Sequence, residues 1–189
     1  MTYLVGIIVG ISGVGKTRLL EKVRAVLPVK VLSASTLIRE SIAEAEGQLT
    51  PQDHLRARSI YDNQVSLLEA FKRNVKPSDN LVILDAHVVI DTPDGLVRIG
   101  TDVFRAINPD FVVFVKGEPR RILRNRQRDA SRMRPERSIS SLTRQQEFAI
   151  VVAREVATEL SIPIHFVMSG DDVALTRILS APLEAEPNV

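Results

Sequence analysis

Residues Gly10-Ile11-Ser12-Gly13-Val14-Gly15-Lys16-Thr17 place three glycines, a lysine and a hydroxyl in the pattern G-x-x-x-x-G-K-[ST]. Each residue type has a reason to be there. Phosphate oxygens concentrate negative charge, and backbone N–H groups can wrap them only where no side chain intervenes. Gly10, Gly13 and Gly15 allow that approach and the backbone angles it needs. The first turn of a following helix adds N–H groups without intrahelical partners and the positive end of its dipole. Lys16 is then expected to reach the β- and γ-phosphates, and the Thr17 hydroxyl to hold Mg²⁺. The stretch Gly10, Ile11, Ser12, Gly13, Val14, Gly15, Lys16 and Thr17 is thus expected to bind the tail of ATP.

Asp85 ends the apolar run Leu81-Val82-Ile83-Leu84. An acidic residue at the carboxyl end of a strand in a P-loop protein faces Mg²⁺, directly or through water, or else caps a turn; the position favours the metal. His87 lies two residues on, and either contacts a phosphate or acceptor base or donates to a backbone carbonyl. Arg39 can pair with an acceptor phosphate or be solvated beside Glu40. Arg98 can clamp the same phosphate or be exposed; Arg56 and Arg58 are weaker candidates of that kind. Eight arginines fall between Arg120 and Arg137, and Arg120, Arg124 and Arg128 share one helical face. Like charges four apart repel, so the stripe is best satisfied by an anion. Arginines such as Arg126, Arg132 and Arg134, closing over phosphates, would stabilise charge in phosphoryl transfer and exclude water. The alternatives are a solvated basic face and a nucleic-acid contact, the latter weakened by the lack of stacking aromatics.

These groups need a scaffold that gathers them at one edge. Leu4 to Val9 reads as a buried strand, and Thr17 to Leu27 as a helix stopped by Pro28. Val29 to Leu32 is a second strand, leading to a helix from Thr36 to Glu46 capped by Ser33 or Ser35. Thr50-Pro51 opens a long helix to about Val75. Leu81–Asp85, Phe111–Val115 and Ile164–Met168 complete five strands, with Thr92-Pro93-Asp94-Gly95 turning between Val88–Ile90 and Leu96-Val97. Helices are expected over Asp102–Ile107, Pro119–Arg128, Leu142–Leu160 and Asp171–Leu179. This alternation predicts an α/β P-loop fold: a five-stranded parallel sheet with helices on both faces and a short Arg-rich lid. Ligands then sit beyond the carboxyl ends of the strands.

Composition narrows the field. The 189 residues suit one domain, with a hydrophobic fraction of 44% but only 4% aromatics, so aliphatic side chains must build the core. With no cysteine, disulfides and Cys-ligated zinc are excluded, as expected for a cytoplasmic protein. No apolar run approaches the roughly 18 residues of a membrane span, and Met1 to Tyr3, ahead of the first strand, have no basic-then-apolar pattern, so no signal segment is expected. The formal net charge is only +2; the basic character is local to the Arg-rich stretch. His54, His87 and His165 are too scattered for a metal site.

Taken together, the glycine loop, Asp85-Ala86-His87, Thr92-Pro93-Asp94-Gly95, Asn108-Pro109-Asp110, the Arg120–Arg137 stretch and Gln145-Gln146 resemble the archaeal-type adenylate kinases. The likeness runs from Val5 to about Val167. It implies MgATP-dependent phosphoryl transfer to AMP, with an acceptor region over 33–76 and a lid over 126–138. It further implies a small nucleotide as partner rather than nucleic acid or membrane, and a homo-oligomer, often a trimer. Arg39 resembles the acceptor-phosphate arginine of the wider adenylate kinase family. Two departures lie on the acceptor side: Asp85-Ala86-His87 replaces the Asp-Gly-Phe-Pro-Arg type motif, and Leu-Val-Arg-Ile-Gly follows Gly95. The acceptor is therefore the open quantity. A kinase of another small molecule or of a nucleic-acid 5′ end would use Asp85 as base, and a non-catalytic ATP-binding regulatory module would use the arginines for docking.

Overall fold

The computed structural model describes residues 3–46, 60–129 and 134–184. Five strands form one parallel sheet in the order β2-β3-β1-β6-β7: β1 (Leu4–Val9), β2 (Lys30–Ser33), β3 (Leu81–Asp85), β6 (Phe111–Lys116) and β7 (Ile164–Met168). Two more, β4 (Val89–Thr92) and β5 (Gly95–Arg98), make an antiparallel ribbon around the expected Pro93-Asp94 turn. Consecutive residues of a strand face opposite sides of a sheet. Ile7, Ile8 and Val9 are all fully buried, so both faces around β1 are covered. The helices that cover the sheet are α1 (Lys16–Arg24), α2 (Ala34–Glu46), α3 (Ile60–Asn74), α4 (Thr101–Ile107), α5 (Pro119–Arg128), α6 (Ile139–Leu160) and α7 (Asp172–Glu184). No helix among the described residues is long and apolar enough to cross a membrane.

The element bounds differ from expectation where local chemistry intervenes. α2 begins at Ala34, directly after β2, without the Ser-Ala-Ser lead-in, and the Ser33 and Ser35 hydroxyls bond each other at 3.2 Å. α6 begins at Ile139 rather than Leu142, because the Ser138 hydroxyl accepts the Ser141 N–H at 3.1 Å and caps an extra turn. α7 runs on to Glu184, past the expected end at Leu179. α4 closes on Asn108, whose left-handed backbone (φ 55°) ends the helix before Pro109. The start of the long helix at Thr50-Pro51 lies outside the described residues, as do His54, Arg56 and Arg58; the described part of that helix is α3.

Parallel pairing fixes the height of each strand end. Ile8 of β1 lies opposite Asp85, and Asp85 lies opposite Ser33 of β2. The carboxylate is therefore brought to the edge of the sheet where β1 passes into the glycine loop. The turn before β3 is itself tied to the edge strand: Lys30 Nζ meets Asp79 Oδ2 at 2.9 Å. That hydrogen bond, then the Lys76 backbone N–H and the nearby lysine charges, hold the Asp79 carboxyl below its ordinary value of 3.8, against a smaller desolvation effect. A depressed carboxyl stabilises the fold above its unfolded value, and the gain is lost as pH falls through the lower folded value. Asp79→Asn is expected to cost about 0.5–1 kcal/mol near neutral pH, the pair being partly solvated. Its melting temperature should converge with that of wild type as the buffer is taken below pH 3.8.

Candidate active site

The loop between β1 and α1 has the backbone its glycines were expected to supply. Gly13 and Gly15 have φ of +85° and +100°, a region that side chains rarely adopt. Ile11 and Val14 are buried and anchor the loop from within. Gly15 caps α1 without any side-chain bond to the helix amides, and no acidic residue occupies the first turn. Those amides are left for an anion.

The loop is also stitched from outside. Carbonyls that turn away from a nest of amides need donors of their own. Gly10 O accepts from His87 Nδ1 at 2.7 Å, Ser12 O from Arg126 Nε at 2.9 Å, Gly13 O from Asn125 Nδ2 at 2.9 Å, and Val14 O from Ser169 Oγ at 2.5 Å. His87 thus takes the carbonyl-donating role open to it in the sequence, and it lines the cleft as well. A Cβ at Gly13 would lie 2.7 Å from Arg126 Cγ, so the arginine packs where only glycine leaves room. Gly13→Ala combines that clash with the cost of a left-handed alanine. It is expected to lose about 1–3 kcal/mol of stability, seen as a lower urea midpoint at unchanged slope.

Lys16 is buried, with Nζ 3.3 Å from Gly10 O and 3.5 Å from Asp85 Oδ1. Its charge therefore sits between the loop and the end of β3. Thr17 is exposed on the cleft wall and Asp85 lines the same cleft. A hydroxyl and a carboxylate are the hard oxygen donors that Mg²⁺ takes, and that ion keeps waters and phosphate oxygens as its other ligands. Among the described residues no group of three or more His, Cys, Asp or Glu forms a metal cage. The pair fits an ion brought in with nucleotide phosphates.

The cleft has a volume of about 770 Å³. It runs from the glycine loop past Asp85 to Arg39 on α2, Asn63 and Gln64 on α3, and the apolar side chains Val103, Phe104 and Ile107 on α4. Arg39 is half-buried there, so the structure brings it to the same cavity as Lys16. Arg98 is a correction to the sequence reading. It is exposed on β5, does not line the cleft, and its Nη2 pairs with Glu155 of α6. The ribbon register aims it at α6, away from the sheet edge.

The Arg-rich stretch divides. Arg120, Arg124 and Arg128 stay on the exposed side of α5. Arg134 is buried at the cleft, with Nε 3.0 Å from Ser12 Oγ and Nη2 on the Asp129 carboxylate. Arg126 is held against the phosphate loop in this structure: all three guanidinium nitrogens have protein partners, Ser12 O, Asp91 Oδ2 at 3.0 Å and Gln145 Oε1 at 3.1 Å. Arg132 lies outside the described residues. Asp91, Asn125 and Ser169 are the site residues that the sequence reading missed, and Gln145 was named there only for the family likeness. Their partners are between 19 and 155 positions away, so no spacing could have revealed them.

A parallel α/β sheet with this glycine loop at the end of its central strand is a P-loop nucleotide-binding fold, and comparison with known proteins narrows it. A family model described as AAA domain matches residues 9–143. An adenylate kinase from Thermoplasma acidophilum is 33% identical over 142 residues, covering 75% of this chain and 76% of that one. One from Sulfurisphaera tokodaii is 29% identical over 193 residues, covering 95% and 99%. A solved shikimate kinase from Acinetobacter baumannii, in complex with shikimate, aligns with a TM-score of 0.60 at 15% identity over 99% of this chain and 97% of that one, a likeness of fold. The chain belongs to the adenylate kinase family, within the AAA-domain P-loop proteins. It is an ATP-dependent phosphotransferase.

Proposed function

We propose that this protein is a nucleoside monophosphate kinase that transfers the γ-phosphoryl group of ATP to AMP. The observation that supports it is that one cleft is lined by the glycine loop, Asp85 and Arg39 together. The loop amides and Lys16 seat the β- and γ-phosphates. Arg39 is a fork of donors for the acceptor phosphate. Asn63 and Gln64 offer amide donors and acceptors to a base, beside the apolar wall of α4. Thr17 and Asp85 would hold Mg²⁺, which when bound neutralises charge on the β- and γ-phosphate oxygens.

The chemistry is in-line displacement. An oxygen of the AMP phosphate forms a bond to the γ-phosphorus while the bond to the β–γ bridging oxygen breaks, giving two molecules of ADP. The attacking oxygen is already an anion, so no protein base is required. Catalysis is positioning plus charge stabilisation, with Lys16 and Arg134 at the phosphate end. ADP formation from MgATP measured against AMP, CMP, UMP, dTMP and oligonucleotides with a free 5′-hydroxyl tests the reading. AMP is expected to be the preferred acceptor. Turnover only with the 5′-hydroxyl, or none above ATP hydrolysis, would overturn it.

A further inference from the structure

We propose that Asp91 is a positioning residue for the triphosphate end of the site, acting through Arg126. Its side chain is 3% exposed, and both carboxylate oxygens are used. Oδ2 accepts Arg126 Nη1 at 3.0 Å; Oδ1 accepts Arg137 Nη2 at 2.9 Å and Nε at 3.2 Å. Arg137 is held further by the Thr92 carbonyl at 3.2 Å. Arg126 in turn donates to the Ser12 carbonyl and to Gln145. One carboxylate on the β4–β5 ribbon therefore sets the guanidinium that grips the crown of the phosphate loop.

Stability alone is a poor reason for such an arrangement. A buried ion pair often gains little over apolar packing of the same volume, whereas removing one partner leaves an uncompensated buried charge. What the triad supplies is direction. With Asp91 and Gln145 occupying its two terminal nitrogens, Arg126 presents Nε to Ser12 in one orientation. Without the carboxylate, two guanidinium groups face each other, Arg126 is pushed toward solvent, and the Ser12 carbonyl loses its donor. The peptide then can rotate, and the neighbouring amides lose their aim at phosphate.

The inference builds on the proposed phosphoryl transfer, but one arm of its test does not depend on the acceptor. MgATP affinity is measured by calorimetry without acceptor for wild type, Asp91→Asn and Arg126→Lys, well below the melting temperature of each. Steady-state kinetics with AMP follow. Asp91→Asn is expected to weaken MgATP binding about 10-fold or more and to lower kcat, with the KM for AMP moving less than about 3-fold. Arg126→Lys keeps the charge but cannot reach three partners at once, and should show the same split; it decides the matter if Asp91→Asn does not fold. Wild-type MgATP affinity in a folded variant would overturn the inference, as would equal losses on the ATP and AMP sides. A wild-type protein inactive toward AMP would remove the proposed acceptor, while the ATP affinities would still decide the role of Asp91.

Discussion

Lys16→Ala is expected to lower kcat by about 10²- to 10³-fold, the scale of losing one preorganised charge donor at developing negative charge. The side chain is buried at the end of the glycine loop, between Gly10 O and Asp85. Its contacts with Gly10 O and Asp85 are long, 3.3 and 3.5 Å. Its worth lies in the phosphates it would meet. As charge moves onto the β–γ bridging oxygen, an ammonium in a water-poor pocket stabilises that oxygen more than the ground state. The check is kcat for ADP formation beside a thermal melt. A variant that melts like wild type and turns over like it would remove Lys16 from the chemistry.

Arg39→Ala carries the second large effect, on the other substrate. A charge-assisted pair with a phosphate contributes about 2–3 kcal/mol, so the KM for AMP should rise about 30- to 150-fold while MgATP affinity stays within 2-fold. Arg39 lies one turn into a helix that starts directly on β2, which sets its reach into the cleft. Arg98, the competing candidate from the sequence, is engaged by Glu155, and Arg98→Ala should leave the KM for AMP unchanged. An unaltered KM in Arg39→Ala would mean that the acceptor phosphate is anchored by other groups.

What the sequence could say follows from what makes its signals local. The glycine loop, its strand and its helix are contiguous, so motif and period agreed; the structure has all three, with the helix ending at Arg24 rather than at Leu27. The five parallel strands were legible because each is a short apolar run between turn signals. Asp85 was legible because its position at the end of such a run decides its height in the sheet. Side-chain partnerships across the fold were not. Arg126 and Arg98 both read as cations near a phosphate site; only the packing of α5 against the loop and of β5 beside α6 separates a loop clamp from a surface pair. Asp91 drew no reading from the sequence because its worth depends on two arginines 35 and 46 positions later.

The strand order has a consequence for how such a protein can change over generations. β1 has neighbours on both sides, whereas β2, which leads straight into the helix bearing Arg39, pairs only with β3. Substitutions at the hub that seats the triphosphate disturb the whole sheet, while substitutions along the rim disturb one edge. On the proposed role of Arg39, substitutions along this rim are expected to alter the choice of phosphate recipient while leaving the energy donor fixed.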